Sequence, residues 1–151
     1  MKNLPPALGM ECALEDLEKN AGAKAQTVAI PGRLPSAMDR AVLAARIAND
    51  HKAKDVLVLD LRGLTPLFDF FVLCTGNSRR QIRTIAEEVD AGLRSVGDKR
   101  IGIEGYEASQ WILQDYGDVV VHVFEPSKRV YYELEELWAD AGRIPWAPSQ
   151  S

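Results

Sequence analysis

The turn Thr75-Gly76-Asn77-Ser78 joins an apolar run, Phe70–Thr75, to an amphipathic stretch that opens with Arg79, Arg80 and Arg83. A glycine-serine turn ahead of a helix leaves backbone N–H groups at the positive end of the helix dipole, an arrangement that can cradle phosphate. Nucleotidyltransferases hold a triphosphate in this way, and they add two or three metal-binding carboxylates, usually Asp-x-Asp on the next strand, to steer Mg²⁺. No Asp-x-Asp follows this turn; Glu104, Asp115 and Asp118 fall at strand ends and in a turn. The first reading is therefore an ordinary strand-to-helix connection capped by Ser78. A nucleotidyltransferase-like enzyme or nucleotide-binding protein using Gly76–Ser78 is the alternative.

The other reactive residue types are sparse. His51 and His122 are the only histidines, Cys12 and Cys74 the only cysteines, and no Ser-His-Asp or Cys-His order connects them. Without CxxC or Cys/His spacing, neither a disulfide framework nor a zinc site is expected. Cys74 lies in an apolar strand with no activating cation beside it, which predicts an inert thiol. No catalytic constellation, cofactor motif or metal-ligand set emerges, and the expectation is a non-enzymatic protein with reduced thiols in the cytoplasm.

Residues 104–140 carry a different signal. Nine carboxylates, from Glu104 to Asp140, face only Lys128 and Arg129, a net charge of −7, while the whole 151-residue chain totals −4. A surface of that sign suits a basic protein partner better than nucleic acid, whose binding normally needs a basic footprint. Within this stretch a hairpin with Tyr116-Gly117 as its two-residue turn is expected to pair Asp115 with Asp118, Leu113 with Val120 and Trp111 with His122. Those six residues share one face; Ile112, Val119, Val121 and Val123 share the other and form a clean core face. The Trp111 face reads either as more core with solvated aspartates, or as a binding surface with a tryptophan anchor and an acidic rim.

These residues need a scaffold, and the hydrophobic pattern supplies one. Ser36 is placed to cap a helix over Met38–His51. Asp55–Leu61 and Phe70–Thr75 read as strands, the second apolar on both faces and so central. Arg79–Val96 repeats apolar residues at helical spacing, with Ser78 and Gln81 matching a capping box and Gly97 as its stop. Arg100–Ile103, Trp111–Asp115 and Val119–Phe124 are further strands. Pro126 ends the last of them, and Ser127 is expected to cap a helix running to about Asp140, its buried stripe being Val130/Tyr131, Leu134, Leu137/Trp138 and Ala141. On that helix Arg129 is set to pair with Glu133. The expected fold is α/β (α+β): one mixed sheet of about five strands packed with helices, over residues 37–142. Residues 1–36, rich in proline and small residues and with a thin helical stripe at Cys12–Lys19, read as a flexible extension, and 143–151 as a tail released by Pro145 and Pro148. No run of apolar residues is long enough to span a membrane.

In their order and spacing, these elements resemble the RsfS/Iojap family, the bacterial and organellar ribosomal silencing factors. The likeness covers roughly residues 38–140 and rests on Asp55–Asp60, Asp69–Gly76 with Ser78 and Arg80, Glu104-Gly105, Ser109-x-Trp111, Asp115-x-Gly117 through Val123, and Arg129-x-Tyr131-Tyr132-x-Leu134-Glu135-x-Leu137-Trp138. The resemblance implies a nucleotidyltransferase-related fold without the metal carboxylates. It also implies binding to a basic protein of the large ribosomal subunit (protein fourteen) on its intersubunit side, which sterically blocks the small subunit and lowers translation when nutrients are scarce. The contact residues it suggests are Trp111 as anchor, with Asp115, Asp118, His122, Arg129 and Tyr131 around it. No direct nucleic-acid contact and no membrane is required in that reading. A homodimer that uses the Trp face for self-association is a third possibility.

Overall fold

The computed structural model describes residues 34–148, so Cys12 and the stripe at Cys12–Lys19 lie outside the described residues. Its elements run α1 (Ala37–Asp50), β1 (Lys54–Asp60), β2 (Phe70–Thr75), α2 (Arg79–Ser95), β3 (Gly102–Glu104), β4 (Trp111–Asp115), β5 (Val119–Phe124), α3 (Pro126–Tyr132), α4 (Leu134–Leu137) and β6 (Gly142–Arg143). The strands form one six-stranded sheet in the order β3-β4-β5-β2-β1-β6. Only β2 and β5 run parallel; they occupy the centre and pair from Phe70↔Val119 to Thr75↔Phe124. Every residue of both strands is buried, as expected of a strand covered on two faces.

Two cores result. On one face α1 and α2 pack Ala41, Ala44, Ala45, Ile82, Ile85, Val89 and Leu93 against Val72, Ile112, Val121 and Val123. On the other, Leu59, Phe71, Leu73, Trp111, Leu113, Val120 and Phe124 are covered by Phe68, Tyr132 and Leu134. Both helix caps follow the sequence signals. Ser36 Oγ accepts from the Asp39 amide, and Ser78 Oγ accepts from the Gln81 amide at 3.1 Å. The capping box is modified: the Gln81 carboxamide accepts from Asn77 N–H at 2.6 Å and donates to the carbonyls of His51 and Lys52.

Three expectations are corrected. The hairpin register is shifted by two residues, pairing Trp111 with Phe124, Leu113 with His122 and Asp115 with Val120. The turn residues are Gly117 and Asp118, closed by the Tyr116 amide donating to the Val119 carbonyl at 2.9 Å. Glycine fits the first central position because its φ is +92°. A two-residue shift keeps each side chain on its expected face, so the division into two faces survives while the Asp115–Asp118 pairing does not. Second, the helix expected from Ser127 to Asp140 breaks at Glu133, which adopts a left-handed conformation with φ 45°. Its N-cap position is Glu125, and the Ser127 hydroxyl donates to the Glu125 carboxylate instead of capping the backbone.

Third, the expected tail adds a sixth strand. Gly142 and Arg143 pair with β1, the Ile144 amide donates to the Val58 carbonyl at 2.9 Å, and Trp146 Nε1 donates to the Val56 carbonyl at 3.1 Å. Among the described residues, no helix is long and apolar enough to cross a membrane.

Candidate functional site

The site begins with the second core, where β5 delivers the chain into α3. Trp111 is 4% exposed, its ring stacked on Phe124 with centroids 4.9 Å apart and tilted against Tyr132 at 4.7 Å. Its indole N–H donates to His122 Nδ1 at 3.1 Å. That bond assigns the imidazole proton to Nε2, which finds no hydrogen-bond partner among the described residues. Burial, with the nearby charge of Arg129 as a lesser cause, pushes the His122 pKa down to about 3, so the ring is neutral.

Because the folded value lies below the unfolded one, near 6.5, the unfolded chain takes up the proton first as pH falls. This contribution to stability is complete above about pH 6.5 and is lost progressively toward pH 3. Urea unfolding at pH 7 and pH 5 is expected to show wild type losing about 2 kcal/mol more than His122→Phe across that interval. Equal losses in the two proteins would refute the assignment.

Arg129 fastens α3 to the end of the sheet. Its guanidinium donates to Thr75 Oγ1 at 3.0 Å and to the Asp55 carbonyl at 2.9 Å, and it pairs with Glu135 at 2.8 Å. With Arg129 and Tyr132 turned inward, the seven-residue helix must show its other side to solvent. Val130 is 70% exposed, Tyr131 57%, and Leu137 on α4 47%. These three belong to the stripe expected to be buried; its Leu134 and half-buried Trp138 do face inward, and Tyr132, outside that stripe, joins them. Glu136 and Asp140 are exposed beside them. The α3–α4 corner is thus an apolar patch with an acidic margin, the composition of a protein-docking surface.

The six residues singled out in the sequence separate accordingly. Trp111, His122 and Arg129 are buried around the base of α3, and Tyr131 is displayed on it. Asp115 and Asp118 sit at the opposite end of β5. The Asp115 carboxylate is buried and accepts from the Gly117 amide at 2.7 Å. Asp118 pairs with the two terminal nitrogens of Arg40 at 2.9 and 2.6 Å, and Arg40 also holds the buried Asp98 at 2.6 Å. Trp111 packs against Tyr132, whose ring meets Tyr131 edge-on at 5.0 Å. Sequence reasoning missed Val130 and Leu137 as surface residues.

At the Gly76–Ser78 turn, the Asn77 and Gln81 amides are already used in capping, which reduces what a phosphate could find there. Cys74 is fully buried, and desolvation raises its thiol to about pKa 12, outside the range of a nucleophile.

Residues 35–151 match the family described as "Ribosomal silencing factor during starvation". The chain is 44% identical over 102 residues to a ribosomal silencing factor RsfS of Halalkalibacterium halodurans, covering 68% of this chain and 87% of that protein. It is 42% identical over 99 residues to the RsfS of Bacillus subtilis, covering 66% and 84% respectively. A crystal structure of a Chromobacterium violaceum protein superposes with a TM-score of 0.68 at 40% identity, over 74% of this chain and 91% of that one. The chain belongs to the RsfS family of ribosomal silencing factors.

Proposed function

We propose that this protein binds a basic protein of the large ribosomal subunit (protein fourteen) on its intersubunit face, through the α3–α4 corner. Bound there, it sterically blocks joining of the small subunit and represses translation under nutrient limitation, acting where ribosomes work, in the cytoplasm. The action is occupancy and needs no chemistry. The observation that carries the reading is the exposure of Val130, Tyr131 and Leu137 together, beside Glu136 and Asp140. An aromatic residue set among exposed aliphatics is the usual centre of a binding hot spot, and an acidic margin adds attraction to a basic partner.

The test is a subunit-joining experiment in sucrose gradients, paired with direct binding to purified large subunits. Wild type is expected to hold large subunits free, while Tyr131→Ala weakens binding about 30-fold, the effect of losing one hot-spot aromatic. Because Tyr131 is a surface residue, its replacement should leave thermal unfolding within about 0.5 kcal/mol of wild type. Undiminished binding by Tyr131→Ala, together with undiminished binding by Val130→Asp, would remove the corner as the contact.

A further inference from the structure

The carboxyl ends of the parallel strands β2 and β5 are a topological switch point. β2 leads to α2 on one face of the sheet, and β5 leads to α3 on the other. Crevices of this kind are where open α/β sheets meet their ligands. In this protein, the rim of that crevice is basic. Lys54 opens β1 and pairs with Thr75, the last residue of β2; Lys52 precedes it, its carbonyl bonded to Gln81 in the first turn of α2; Arg79 and Arg80 begin that turn. All four side chains are exposed, against the exposed carboxylates of Asp50 and Asp55 and the half-buried Glu125.

One feature shows that the fold accepts a cost here. The first turn of α2 contains no acidic residue, so two cations sit at the positive end of the helix dipole, each unfavourable by a few tenths of a kcal/mol. The left-handed backbone of Lys52, at φ 69°, has a structural cause: it closes α1, with the Lys52 and Ala53 amides donating to the Asn49 and Ala48 carbonyls. The rim also adjoins the docking corner: Arg129, next to Val130, binds both Thr75 and the Asp55 carbonyl.

We propose that the rim formed by Lys52, Lys54, Arg79 and Arg80 docks on the phosphodiester backbone of ribosomal RNA beside the protein partner. This deepens the large-subunit reading given above and rests on it. An RNA surface next to a ribosomal protein presents closely spaced phosphates, which exposed lysine and arginine bind with release of counterions. The chain then has two complementary zones, an apolar and acidic one for a basic protein and a basic one for RNA. It differs from the expectation that no direct nucleic-acid contact is required.

The test uses the full chain carrying Arg79→Glu and Arg80→Glu. Acidic residues in the first turn complement the helix dipole, so this variant should fold at least as well as wild type, checked by thermal unfolding. Affinity is measured for purified large subunits and for the isolated basic ribosomal protein, between about 50 and 200 mM salt. The expected result is at least about a tenfold loss on subunits, and a salt slope (log affinity against log salt) shallower by about two. Binding to the isolated protein should be unchanged.

Equal losses on both targets would make the rim a protein contact and overturn the proposal. Unchanged affinity and slope on subunits would overturn it as well. If wild type fails to bind the isolated protein while the subunit losses appear as described, the corner assignment fails and the RNA contact stands.

Discussion

Trp111→Ala is expected to destabilise the protein by about 3–5 kcal/mol, the range for truncating a fully packed aromatic residue. The indole fills the space between Phe124 and Tyr132, so its removal opens a cavity under α3. It also deprives His122 Nδ1 of its donor in a fully buried setting, which adds to the loss. Urea unfolding followed by circular dichroism measures this directly. Trp111→Phe keeps most of the packing and should lose roughly half as much.

The consequence for binding separates a supporting residue from a contacting one. Studied well below its melting temperature, Trp111→Ala should weaken large-subunit binding only as far as α3 loosens, whereas Tyr131→Ala should weaken binding without any change in stability. A Trp111→Ala protein of wild-type stability that no longer binds would restore a direct contact role to the tryptophan.

Arg40→Leu is expected to cost about 3–5 kcal/mol, because it leaves a buried carboxylate without its cation. Arg40 and Asp98 are each almost fully buried, and the guanidinium also donates to the Pro35 carbonyl at 3.0 Å and to both oxygens of Asp118. One side chain thereby joins α1, the connection that follows α2 and the β4–β5 turn. The loss should come from the charge left behind more than from a missing attraction. Adding Asp98→Asn to Arg40→Leu should therefore recover more than half of it, since a neutral amide is far less costly to bury. No recovery in the double variant, measured by urea unfolding, would assign the effect to packing of the arginine stem instead.

Much of this architecture was legible because it is locally encoded. Ser36 and Ser78 announce their helices, Phe70–Thr75 reads as central from its unbroken apolar run, and alternation in Trp111–Asp115 and Val119–Phe124 assigns each residue to its face. What escaped was set by distant partners. Tyr116 looks like a turn residue, yet it is buried with its hydroxyl donating to Asp90 on α2 at 2.8 Å, and this inward pull moves the turn to Gly117-Asp118. Glu133 gives no sign of ending a helix. Its left-handed backbone costs about 1–2 kcal/mol and is tolerated where Arg129 is fastened to Thr75 and Asp55 and where Leu134 enters the second core. With the helix broken there, Val130 and Tyr131 are exposed, which a continuous helix with the expected stripe did not foretell. Trp111 was singled out by its place on the hairpin face shared with His122 and by the family resemblance, neither of which reports how deeply Phe124 and Tyr132 enclose it.

The two-residue strand β6 is small, but it occupies the outer edge of β1, whose inner neighbour β2 is already paired. An uncovered edge of that kind offers a row of unpaired amides and carbonyls to any passing chain. Gly142 to Trp146 cover it with backbone bonds and an indole, and Pro145 within that segment has no amide with which to extend the ladder outward. The last short segment of the fold thus acts as a stopper against fibrous aggregation. It can be set only after the C-terminal residues have been synthesised, so a chain cut short before Gly142 would keep most of its core and lose its protection from its own copies.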